Sequence, residues 1–269
     1  MSVMFSKIPL HNYPVLRADS DRDLEDYISL KHGGKILRLP PRQISNTRTG
    51  VNWIELPNSQ LGFSRYGREI TFELPEIDFV RVKMVTTGTL TVQTGQRIST
   101  IQEHSGSIST GPVTITCSPD AEIVSYLVSR PFLLDKIQAL RETDNLVTVD
   151  FPATISLLTL AGLNFRNTLQ SMFSALEQAA PKSNTRLFSN LENALVTALV
   201  IAAPPEVRAD GMKLPNTVIP RAVRRVEAYL SEHWRDNPDV EELATVAGMS
   251  SRRNRWYSLT DSSKKTLSP

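Results

Sequence analysis

Between residues 51 and 128 the chain is cut into short β-prone runs, each closed by turn residues. Val51–Leu56 is followed by Pro57–Asn58, Leu61–Tyr66 by Gly67, and Ile70–Leu74 by Pro75. Phe79–Thr86 ends before Gly88, Thr89–Val92 before Gly95, Ile108 before Gly111–Pro112, and Ile123–Val128 before Arg130–Pro131. Short runs at this spacing, each closed by turn residues, favour antiparallel pairing over βαβ units. The pattern therefore predicts an antiparallel barrel or sandwich within residues 1–150.

Two helical stretches frame the β region. In Asp21–Leu30 the side chains of Leu24, Tyr27, Ile28 and Leu30 share a face, and Pro131–Leu140 carries proline in its first turn. Within Phe79–Val85 the apolar Phe79, Val80, Val82, Met84 and Val85 alternate with Arg81 and Lys83. That alternation predicts one face buried and the charged face wet. The aromatic residues Trp53, Phe63, Phe72 and Phe79 are expected to pack in the core.

Residues 151–203 change to a helical period. Phe165, Leu169, Met172, Phe173 and Leu176 fall on one face, and Leu187, Leu191, Leu195 and Leu199 recur every four residues beside Phe188 and Ala198. With Lys182–Thr185 between the two stretches, a helical hairpin is expected. Its leucine stripe serves either the chain's own core or the seam of a homodimer. Residues 204–219 hold Pro204, Pro205, Gly211 and Pro215, which marks a flexible linker before a second domain at 220–269.

That second domain opens with Pro220–Trp234, in which Val223, Val226, Tyr229, Leu230 and Trp234 form a stripe. After Asp239, a plausible N-cap, the order Leu243, Ala244, Ala247, Gly248, Met249, Ser250 follows. A helix-turn-helix needs an apolar anchor, then small residues where two helices cross closely. It then needs a glycine free to take positive φ, an apolar corner plug, and a cap for the second helix. The six residues fill those slots in sequence. Ser250, Ser251, Arg252, Arg253 and Arg255 then stand where such a helix meets phosphates and base edges of double-stranded DNA.

Pro220–Trp234 followed by Val240–Arg252 resembles the start of the DNA-binding domain of the AraC/XylS family of transcription regulators. The region from Arg65–Tyr66–Gly67 through Phe79–Val85 to Ser118–Pro119–Asp120 resembles the cupin-like sensor domain of one branch of that family. The resemblance implies an α+β chain. A cupin-like β-barrel with a helical hairpin would bind a small-molecule effector, and an all-α helix-turn-helix domain would bind promoter DNA, with RNA polymerase as a further partner.

The chain departs from the family after Arg252. Asn254 stands where the reading helix should press an apolar side chain onto its neighbour, and residues 258–269 lack helical periodicity. No counterpart of the family's second helix-turn-helix follows. A domain truncated or altered there is the expectation, with weakened DNA binding. An alternative role is a dimerising fragment that does not bind DNA and interferes with full-length relatives.

Other classes find less support. Metal-dependent cupin enzymes need clustered histidines, whereas His11, His32, His104 and His233 are scattered. No nucleophile elbow occurs, and Cys117, the single cysteine, has no histidine near it in sequence. No catalytic residue, metal or cofactor is therefore expected. The lone cysteine fits a cytoplasmic protein. Ala194–Ala203 stops short of the ~20 apolar residues that cross a bilayer, so no membrane partner is expected.

Overall fold

A computed structural model describes residues 8–18, 20–41, 49–141, 148–179 and 184–208, with Tyr229 and Val246. The chain divides into one unit, Met1–Asp210, and a second, Gly211–Pro269. In the second unit Tyr229 and Val246 are helical and half-buried. The positions expected to build the helix-turn-helix (Leu243, Ala244, Ala247, Gly248, Met249) and to meet DNA (Ser250, Ser251, Arg252, Arg253, Arg255) lie outside the described residues.

The first unit is α+β, with two antiparallel sheets face to face. One sheet has seven strands in the order β1 (Pro14–Ala18), β3 (Thr49–Glu55), β4 (Ser59–Arg65), β11 (Glu122–Ser129), β6 (Phe79–Thr87), β9 (Ser105–Ser109) and β13 (Thr154–Ser156). The other runs β2 (Lys35–Arg38), β5 (Ile70–Leu74), β10 (Val113–Cys117), β7 (Leu90–Thr94) and β8 (Arg97–Ile101). Among the described residues of this unit four helices accompany them: α1 (Asp21–His32), α2 (Arg130–Arg141), α3 (Leu160–Gln178) and α4 (Thr185–Ala202). Within the segment expected to link the domains, β14 (Glu206–Arg208) is extended and pairs with β12 (Thr148–Asp150). Among the described residues no helix is long and apolar enough to cross a membrane.

Strand periodicity gives the seven-stranded sheet two faces with different partners. One face presents Ile54, Leu61, Phe63, Val80, Val82, Met84, Val124, Tyr126 and Val128 to the helices. There Leu133 and Ile137 of α2, Phe165 to Leu176 of α3, and Phe188, Leu195 and Leu199 of α4 complete one core. The opposite face looks across the barrel at Ile70, Phe72, Leu90, Val92 and Ile115, and α1 adds Leu24, Tyr27 and Ile28 to this second core.

Three sequence expectations shift here for geometric reasons. Leu30 is exposed, because two residues past Ile28 the helix has turned it to the far side. The leucine stripe of α4 sinks at Leu195 and Leu199 but surfaces at Leu187. A four-residue repeat drifts about 40° per step around a helix of 3.6 residues per turn, so the stripe leaves the buried face. The charged side of Phe79–Val85 is the third case: Arg81 is 2% exposed, and Lys83 points the same way into the barrel. Both faces of this strand are covered, one by helices and one by the opposing sheet.

Candidate functional site

The barrel interior is where chemistry-bearing side chains meet. One row of the seven-stranded sheet runs Trp53, Gly62, Ser125, Lys83, Ser107, each residue directly opposite the next across β3, β4, β11, β6 and β9. All five face the lumen, and only Trp53 is apolar in bulk. Trp53 and Lys83 start three strands apart, roughly 14 Å at the usual strand spacing, but both lean inward. The Trp53 ring lies over Gly62, where an added Cβ would sit 2.1 Å from Trp53 Cε3. From the other side, Lys83 Nζ donates a 3.0 Å hydrogen bond to Ser125 Oγ on the strand next to Gly62.

Of these, Trp53, Ser125 and Lys83 line a small cavity, about 30 Å³ accessible to water, with Tyr27, His32, Ser64, Tyr66, Phe72 and Arg81. Helix α1 covers it. Ser20 and Asp23 close a reciprocal capping box at the start of α1, and Gly33 ends it at φ +62°. Its ends are clasped to the barrel by ion pairs, Asp21 with Arg68 and Lys31 with Glu55. So held, α1 brings His32 edge-on to Trp53, with ring centroids 5.2 Å apart, and within a 3.0 Å hydrogen bond of Tyr27 Oη.

The electrostatics are one-sided. Arg81 donates to the carbonyls of Gly111 (2.9 Å) and Pro75, which anchor its guanidinium, and the charge of Glu76, outside the cavity lining, acts on it. Among the described residues that line the cavity, none is an aspartate or glutamate. Burial lowers the Lys83 pKa to about 8; Cys117 opposes the shift and the Arg81 charge adds to it. Lys83 therefore remains a cation at neutral pH, but at a cost. His32 is pushed down to about 3, chiefly by burial, with Lys83, Lys31 and Arg81 acting in the same direction, and is neutral. The Cys117 thiol is pushed up to about 12 by burial and stays protonated. The indole N–H of Trp53 has no hydrogen-bond partner among the described residues, although Trp53 is only 8% exposed.

Sequence reasoning treated Trp53 and Phe72 as packing residues and did not single out Tyr27, His32, Arg81 or Lys83 as a site. The available signal was two cations alternating with β-branched residues on a strand with turns at both ends. Phe63 faces the helices, as a core residue does, and Phe79 is half-buried at the start of β6. His104 is exposed in the turn between β8 and β9. Among the described residues no three of His, Cys, Asp and Glu gather as a metal site would require.

The chain matches no family model, and no curated protein matches it. Among solved structures, CuxR, an AraC-like transcriptional activator, is similar at a TM-score of 0.50 and 15% identity, over 91% of this chain and 86% of that one. That likeness shows a shared α+β fold, two antiparallel sheets with accompanying helices. A putative ethanolamine utilization protein Q from Salmonella typhimurium covers 36% of this chain and 79% of its own, at 14% identity and a TM-score of 0.27. KdgF from a Halomonas species covers 36% and 86%, at 9% and 0.28.

Two expectations follow from this geometry. Gly62→Ala places a methyl group inside the Trp53 ring, so the ring must swing away and stability should fall by about 1–3 kcal/mol. In a Trp53→Ala background the same change should cost far less, which a double-mutant cycle by urea unfolding measures. For His32, the unfolded chain takes up a proton below the ordinary value of 6.5 while the folded chain does not until about 3. Stability is therefore lost as pH falls between those values, His32 adding up to about 1.4 kcal/mol per pH unit to the slope. Unfolding curves of the wild type and His32→Phe should diverge below pH 6.5. Parallel curves would remove His32 from the account.

Proposed function

We propose that the chain is a DNA-binding transcription regulator whose barrel holds a small-molecule effector. The observation that carries this reading is the barrel cavity: among the described residues it collects a half-buried cation with no carboxylate in the lining, an unpartnered indole N–H and the rings of Tyr27, Tyr66 and Phe72. A barrel filled only for stability has apolar, close-packed contents, because unsatisfied polar groups cost about 1–3 kcal/mol each. Support comes also from the fold shared with an AraC-like activator. The run Leu243, Ala244, Ala247, Gly248, Met249, Ser250, with Arg252, Arg253 and Arg255 after it, supplies the DNA-binding half of the reading.

The seven-stranded sheet offers a route from ligand to helices. Strands β3, β4, β6 and β11 give one face to the cavity and the other to α2, α3 and α4. The buried carboxylate of Glu192 on α4 adds a polar tie, accepting from Asn58 N (3.0 Å) and Ser59 Oγ (2.6 Å) at the β3–β4 turn.

Fluorescence anisotropy with a labelled duplex from the region upstream of the chain's own gene tests the proposal. The expected result is sequence-selective binding that weakens steeply with added salt, because phosphate contacts release counterions. Equal affinity for a scrambled duplex would overturn it.

A further inference from the structure

We propose that the barrel cavity selects a small organic acid, its anionic group seated at the Lys83 ammonium and its body lying against the rings of Trp53, Tyr27 and Phe72. The inference rests on the sensor reading above and adds the chemical class of the effector.

Charge is the first argument. Two cations, Lys83 and Arg81, face a cavity that no carboxylate among the described residues lines. Arg81 is anchored by two of its five N–H donors, which go to backbone carbonyls. Lys83 has three N–H donors, and its one assigned partner is the neutral Ser125 hydroxyl. A half-buried cation without a charged partner is unfavourable, and the strong remedy is an anion that makes charge-assisted hydrogen bonds to it. Ligands recognised through hydroxyl groups alone, such as sugars, would call for carboxylate or amide acceptors in the lumen, and among the described lining residues there are instead Ser64, Ser125, the neutral His32 and aromatic hydroxyls.

Register is the second argument. Because Trp53 leans over Gly62 and Lys83 leans onto Ser125, the ring and the ammonium come to adjoining strands of one row. An acid held by Lys83 thus has an aromatic wall beside it and the orphan indole N–H lining the same space. Only one flexible cation is available, which suits a single carboxylate. The low pKa of Lys83 is consistent: an anion raises it again, so acid binding should weaken as pH rises through about 8.

The test is calorimetric titration of the full chain with formate, acetate and propionate, each paired with its neutral amide. At least one acid should bind, its amide at least about tenfold weaker, as one charge-assisted hydrogen bond implies. K83M and K83Q should each lose about tenfold or more in acid affinity, while K83R keeps part of it. Amides binding as well as acids, unchanged affinity in K83M and K83Q, or no acid binding at all would overturn the proposal. Acid-selective binding that leaves DNA affinity unchanged would keep the ligand class and sink the regulator reading. A neutral ligand that alters DNA affinity would do the reverse.

Discussion

Phe165→Ala should destabilise the first unit by about 3–5 kcal/mol, the usual cost of removing a fully buried phenylalanine. Phe165 is inaccessible to solvent at the heart of the helix-facing core, and its ring lies 6.2 Å from that of Tyr126, centroid to centroid. Tyr126 belongs to β11, whose neighbouring residues Ser125 and Leu127 line the cavity. The substitution opens a void where α3 meets the central strand, and the surrounding ridges, packed from three helices, can close it only in part. Leu160→Ala on the same helix is the control: Leu160 is 78% exposed, so its loss should change stability by no more than about 0.5 kcal/mol. Urea unfolding followed by circular dichroism separates the two. A similar, small effect for both would mean that α3 is not integral to the unit, and the sheet-mediated route from cavity to helices would fall with it.

The double-sided sheet also explains how much of the molecule can be read from the sequence. Central strands such as β4, β6 and β11 bury both faces, so their apolar content and flanking turns mark them clearly. Strands β1, β2, β8 and β13 sit at sheet edges. Their exposed residues, as in Lys35–Arg38 and Arg97–Ile101, lack the alternation that signals a strand. Helices α3 and α4 announce themselves because each buries one continuous face.

The site was legible only in its parts. Arg81 and Lys83 alternate with apolar neighbours as solvent-facing residues do, and nothing local distinguishes water from a lumen. That distinction depends on β5 and α1 closing over the row, contacts between residues far apart in sequence. Trp53 likewise has the composition of a core residue. What separates it from Phe63 is its position one face over, above a glycine that only the register of β3 on β4 places there.

On the proposed reading, the barrel interior receives a ligand at the expense of stability. A lysine held near pKa 8 by burial is disfavoured at neutral pH by a few kcal/mol relative to the unfolded chain. Methionine fills nearly the same volume without the charge, at the loss of one hydrogen bond to Ser125 worth about 1 kcal/mol. Lys83→Met should therefore raise the unfolding free energy of the ligand-free protein by about 2 kcal/mol at neutral pH. The folded pKa lies below the unfolded one, so wild-type stability rises as pH climbs from about 8, and the advantage of the variant should shrink near pH 10 or so. Urea unfolding of the two proteins at both pH values measures this. Stabilisation at neutral pH that fades in alkali is the expected result. A Lys83→Met protein less stable than the wild type at both would make Lys83 a structural residue and contradict the account.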